Sequence, residues 1–84
     1  MWFIYLIQHN ATKQIYIGCT NDIKIRLKQH NSGDTKSTHR VSGKWILKYS
    51  EIYPSKKLAL DREQKLKYHG SVKQGLLKRL KDIL

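Results

Sequence analysis

Five residues in this chain have the types to act together on a phosphodiester: Tyr5, Tyr16, Arg26, His30 and Glu63. Phenols can orient a water and handle its proton, and a guanidinium offers a planar, permanently charged fork to phosphate oxygens. A carboxylate can hold a divalent cation against charge that develops on a leaving group. Each residue also has an ordinary reading. Tyrosines pack readily in small β-cores, and a histidine on an apolar helix face is more often structural than catalytic. Arg26 can pair with Asp22 or Glu63, and Glu63 with Lys67, Arg62 or Lys65. The functional reading rests on convergence, since all five are expected to turn towards one side of a sheet.

The elements that would position them follow from local pattern. Residues 3–8 and 14–19 are rich in β-branched and aromatic types and flank a turn-prone stretch, so they predict a hairpin. An even-numbered loop would place Tyr5 and Tyr16 on the same face. Thr20 or Asn21 is placed to cap a helix over residues 22–31, where Arg26 and His30 lie beside the Ile23 and Leu27 stripe. Residues 32–43 predict a surface loop or frayed helix able to touch a substrate.

Residues 44–53 predict a third strand, with Trp45, Leu47 and Tyr49 on one face and Pro54 closing it. Ser55 is the expected cap of a second helix over residues 56–69, with Leu58, Ala59, Leu60 and Leu66 on its apolar side and Gly70 as its stop. A helical wheel sets Glu63 between Ala59 and Leu66, where an unpaired charge is costly. A third helix restarts at Ser71 and carries the stripe Val72, Leu76, Leu77, Leu80, Ile83 and Leu84. The expected class is α+β: a three-stranded antiparallel sheet flanked by about three helices in the order β-β-α-β-α-α, formed by residues 1–84 as one domain.

Seventeen Lys and Arg against six Asp and Glu give a formal charge of +11 and a pI near 10.0. Residues 1–43 hold six basic and two acidic groups and residues 44–84 eleven and four, so the basic field belongs to the folded body. Nucleic acid is the expected partner. Lone Cys19 rules out an internal disulfide and a cysteine metal knuckle. The apolar opening is interrupted by Gln8-His9-Asn10, which fits neither a signal peptide nor a membrane span. A cytoplasmic setting with no membrane partner is expected.

Phe3-Ile4-Tyr5 and Tyr16-Ile17-Gly18, with residues 25–30 on the first helix, 45–53 on the third strand and 59–63 on the second helix, resemble the GIY-YIG nuclease superfamily over essentially the whole chain, most closely its small stand-alone bacterial members. The resemblance implies the fold above and a divalent-metal-dependent DNA endonuclease. Glu63 would hold one Mg²⁺ or Mn²⁺, Arg26 would neutralise the phosphate, and Tyr5 and Tyr16 would orient the water, with Tyr5 favoured as base. His30 would hydrogen-bond the phosphate or the first tyrosine. Lys24, Lys28, Lys36, Arg40 and Lys67 are the expected DNA contacts. The substrate implied is branched or damaged DNA in repair or recombination, with targeting by a protein partner and a monomer or weak dimer as the assembly. Departures are Phe3 in place of the first glycine, Cys19 after Gly18, and no Asn beyond residue 31. The competing reading is a nucleic-acid-binding module that keeps the fold without cutting, held by salt-dependent phosphate contacts.

Overall fold

Two β-rich segments around a tight turn form the expected hairpin, β1 (Trp2–His9) paired antiparallel with β2 (Ile15–Thr20). The computed structural model describes residues 1–32 and 43–84. Gln8 faces Ile15, leaving residues 9–14, an even count, between them. Tyr5 therefore faces Gly18 and Ile7 faces Tyr16, which puts both tyrosines on one face of the sheet. The turn closes with Lys13 in the left-handed region at φ 66°.

A third strand, β3 (Trp45–Tyr53), pairs antiparallel with the other side of β1, giving the order β2-β1-β3. The central strand is thus covered on both faces, and every residue from Ile4 to Gln8 is buried. Its run of consecutive apolar residues follows from that position, because neither face meets water.

Helix α1 (Ile23–Ser32) covers one face, where Ile23 and Leu27 pack on Tyr5, Ile7 and Trp45. Helices α2 (Lys56–Tyr68) and α3 (Gly70–Arg79) cover the other, where Ala59, Leu66 and Leu76 pack on Ile4, Leu6 and Ile17. The architecture is the β-β-α-β-α-α arrangement expected from the pattern.

Several local expectations are corrected. The cap of α1 is Asp22, whose Oδ1 accepts from the Ile25 amide at 3.1 Å, while Thr20 Oγ1 instead accepts from the Asp22 amide in the preceding turn. Trp45 and Tyr49 lie on opposite faces of β3, because a register shift against Leu6 and Ile7 leaves Lys48 unpaired: Tyr49 faces Leu6 while Leu47 faces Ile7. Leu58 and Leu60 are exposed at 48% and 37%, leaving Ala59 and Leu66 as the packed positions of α2. Gly70 does not stop α2. The break falls at His69, in an extended conformation at φ −117°, and Gly70 opens α3. The cap at Ser55 is as expected, its hydroxyl accepting from the Leu58 amide at 3.3 Å. The loop expected over residues 32–43 lies almost wholly outside the described residues, as do Lys36 and Arg40.

Candidate active site

Tyr5 organises the site because its place on the central strand aims it across β2. The residue opposite it is Gly18, and a Cβ built there would sit 2.5 Å from Tyr5 Cζ and 2.8 Å from Cε1, nearer still to the hydroxyl oxygen. The ring lies directly over that glycine, in space that any side chain on Gly18 would fill. Its hydroxyl is thereby carried to the β2 side of the sheet, while the residue as a whole stays 1% exposed.

Two side chains of α1 meet this hydroxyl. His30, also 1% exposed, places Nε2 at 2.9 Å, and the Arg26 Nε–H donates to the oxygen at 3.4 Å. A guanidinium can only donate, so Tyr5 oxygen is the acceptor there, and its own proton is free to be donated to His30 Nε2. Donation in that direction goes with a neutral His30 whose proton is on Nδ1. Electrostatics agree. Burial, then the nearby Arg26 charge, hold the imidazole down to about 4 from its usual 6.5. Burial likewise pushes Tyr5 up to about 12, the Arg26 hydrogen bond only partly opposing it, with Tyr16 and Glu63 adding to the rise. Arg26 is held in its charged form chiefly by the bond to Tyr5. Its Nη1 is fixed by Gln29 Oε1 at 3.0 Å, one helical turn on.

Tyr16 completes the aromatic wall, its ring centroid 4.8 Å from that of His30 and 6.3 Å from that of Tyr5. Four of the five residues singled out from sequence therefore gather on the α1 face. Glu63 does not rise from that face. It is carried by α2 on the opposite layer, beside the β2 edge, where its charge acts on both Tyr5 and Cys19. Only an edge strand permits this meeting, since a fourth strand beyond β2 would separate the carboxylate from the phenols. Lys67 links the two sides, its Nζ 3.4 Å from Glu63 Oε2 and 5.6 Å above the Tyr16 ring. This is the ordinary partner foreseen for Glu63. Lys24 and Lys28 are exposed on α1.

The donor set suits a hard divalent cation bound weakly by protein alone. Glu63 supplies one carboxylate with its side chain 18% exposed, and no group of three or more His, Cys, Asp or Glu able to hold a metal occurs among the described residues. Mg²⁺ typically takes one or two carboxylates and completes its shell with water and substrate phosphate, so a single Glu is compatible.

A second polar cluster went unread in the sequence. Glu51 on β3 accepts from Tyr49 at 2.5 Å, Tyr53 at 2.7 Å and Arg62 through Nε at 3.0 Å and Nη2 at 3.1 Å. Burial alone would raise this carboxyl, but the hydrogen bonds from Arg62, Tyr49 and Tyr53 outweigh it and hold it below its usual range. The cluster ties α2 to β3 and occupies Arg62, which the sequence offered as an alternative partner of Glu63. The spacing of Tyr49, Glu51 and Tyr53 on one strand face was its legible sign.

Residues 1–75 match the family model described as the GIY-YIG catalytic domain. A UPF0213 protein of Vibrio campbellii is 33% identical over 76 residues, covering 90% of this chain and 72% of that protein. A UPF0213 protein of Vibrio parahaemolyticus is 34% identical over 83 residues, covering 99% and 77%. The UPF0213 protein YhbQ of Escherichia coli is 36% identical over 66 residues, covering 79% of this chain and 65% of that protein. Among solved structures, the solution NMR structure of the UPF0213 protein BH0048 from Bacillus halodurans matches with a TM-score of 0.56 and 29% identity, covering 96% of this chain and 86% of that one.

Proposed function

The chain belongs to the GIY-YIG family, and on that membership and the geometry of its site we propose that it is a divalent-metal-dependent endonuclease acting on DNA. The observation that carries this reading is the hydrogen-bonded run Arg26–Tyr5–His30 set beside Glu63 at an open sheet edge. A metal held by Glu63, Mg²⁺ or Mn²⁺, would supply Lewis-acid stabilisation of the phosphate and the leaving oxygen.

The chain's own groups account for the rest. Arg26 binds a non-bridging phosphate oxygen, and Gln29 keeps its fork from swinging away. Tyr16 and Tyr5 orient the attacking water. Tyr5 with a pKa pushed up to about 12 is a poor source of free phenolate at neutral pH. It acts instead as a relay, its oxygen taking the water's proton as its own proton passes to His30 Nε2, which is neutral at pH 7. Lys24 and Lys28 contact the DNA backbone from α1, and Lys36 and Arg40 from the segment between α1 and β3.

Residues 1–84 act as one domain in this reading, on branched or damaged DNA in a cytoplasmic repair role, as a monomer or weak dimer directed by a protein partner. No helix among the described residues is long and apolar enough to cross a membrane. Incubation with supercoiled plasmid and a branched junction is the test. Cleavage in Mg²⁺ or Mn²⁺ that EDTA abolishes is expected. Salt-sensitive binding without cleavage in either metal would instead mark a binding module, which the charge of +11 alone would support.

A further inference from the structure

Four of the five contacts foreseen from sequence fall on α1 and the segment after it, and the fifth, Lys67, falls on α2, where the β2 edge carries a second line of charge. Lys56 and Glu63 are seven residues apart, two helical turns, so they share one side of α2 about 10 Å apart along its axis. Lys56 Nζ lies 5.1 Å above the Trp2 ring, as Lys67 Nζ lies 5.6 Å above Tyr16. Both lysines and Glu63 act on the thiol of Cys19 on β2, which places all three charges around one strand position.

The lysines of this side differ in what they already hold. Lys57 pairs with Asp61 at 3.6 Å and Lys67 with Glu63 at 3.4 Å. Lys56 is exposed and makes no ion pair among the described residues. A lysine laid over an indole has its stem ordered by the ring while its ammonium stays open to an anion.

Building on the nuclease reading, we propose that Lys56, seated on Trp2, is a second phosphate-binding position, which holds the DNA strand within about three nucleotide steps of Glu63 along the outer side of α2. The distance sets that limit, since one strand advances about 3.4 Å per nucleotide. The strand is then gripped on both sides of the cleaved bond: by α1 on one side and by Lys56 on the other. A backbone held at two points cannot rotate the scissile phosphate out of line, and such positioning accounts for much of the rate in this kind of chemistry.

Binding of a short fluorescent DNA in EDTA, followed by anisotropy across a salt series, tests the site apart from catalysis. Lys56→Gln should lower the slope of log K against log salt by about 0.9 relative to wild type. Lys56→Arg should keep the wild-type slope, and the Trp2 indole N–H resonance should shift on adding DNA to wild type. A slope for Lys56→Gln equal to that of wild type, or a Trp2 resonance unmoved by DNA, overturns the proposal. The two readings fail separately. Lys56-dependent binding without metal-dependent cutting sinks the nuclease assignment alone, whereas cutting with an unchanged Lys56→Gln slope sinks the phosphate position alone.

Discussion

Replacing Gly18 by Ala should be far more damaging than adding one methyl normally is, because Tyr5 already fills the space that methyl needs. A Cβ at position 18 would lie 2.5 Å from Tyr5 Cζ and 2.8 Å from Cε1, well inside van der Waals contact. Neither partner yields easily, since β2 is fixed in its ladder to β1 and Tyr5 is 1% exposed under α1. Removing a strand glycine should itself gain about 0.5–1 kcal/mol of chain entropy. Overpacking costs about 1–3 kcal/mol, and displacing the ring breaks its 2.9 Å bond to His30, leaving a buried polar group unpaired for about 1–3 kcal/mol. The clash wins, with a net loss centred on about 3 kcal/mol. For a chain of this length that lowers the melting temperature by about 12–24 °C. Thermal unfolding followed by circular dichroism measures it, with the same substitution made in a Tyr5→Ala background as the control. There the obstacle is gone and Gly18→Ala should cost little or nothing. An unchanged melting temperature for the single variant, or an equal cost in both backgrounds, would refute the argument.

Other outcomes follow from the same contacts. Because burial lowers the folded His30 pKa to about 4 from 6.5, the unfolded chain binds a proton that the folded one refuses as pH falls between those values. That contribution is complete above 6.5 and is lost as pH falls towards 4, a difference of about 3 kcal/mol, and urea midpoints at several pH values should lose this slope in His30→Gln. Arg62→Met strips the Glu51 carboxylate of its bidentate partner and should cost about 2 kcal/mol in urea unfolding, with Arg62→Lys recovering only part because an ammonium cannot span both oxygens. Lys13→Asn relieves a left-handed lysine and should stabilise by about 1 kcal/mol in the same assay.

The fold was legible because its strongest signals are periodic ones. The β-rich hairpin and the start of each closing helix survive translation into structure with boundary shifts of one or two residues, whereas α3 ends at Arg79 and leaves Leu80, Ile83 and Leu84 of the expected stripe beyond it. The misreadings share a cause, which is that they depend on pairing or packing between distant segments. Nothing local to Trp45, Leu47 and Tyr49 announces that Lys48 will drop out of register against β1. Nothing local to Gly70 tells a helix stop from a helix start, a choice made one residue earlier at His69. In the candidate site, the shared face of four side chains was readable while the approach of the fifth was not. Tyr5, Tyr16, Arg26 and His30 share a face as the hairpin and helix periods require, but Glu63 comes from the opposite layer, and its charge acts on Tyr5 around β2 because β2 is an edge. The role of Gly18 as the floor beneath Tyr5 likewise needed the strand register, and the Glu51 cluster needed α2 laid against β3.

The most direct test of the central claim compares wild type with Glu63→Gln on one branched DNA, measuring binding by anisotropy in EDTA and cleavage in Mg²⁺ and Mn²⁺. Glutamine keeps the shape while removing the charge that would hold the cation, and its amide oxygen can still accept from Lys67 across the i,i+4 contact between the partly buried Glu63 and the exposed lysine. Binding within about twofold of wild type is expected, since no phosphate contact is assigned to Glu63, together with cleavage lost in both metals. Cleavage by Glu63→Gln at the wild-type rate, with binding intact, would contradict the claim.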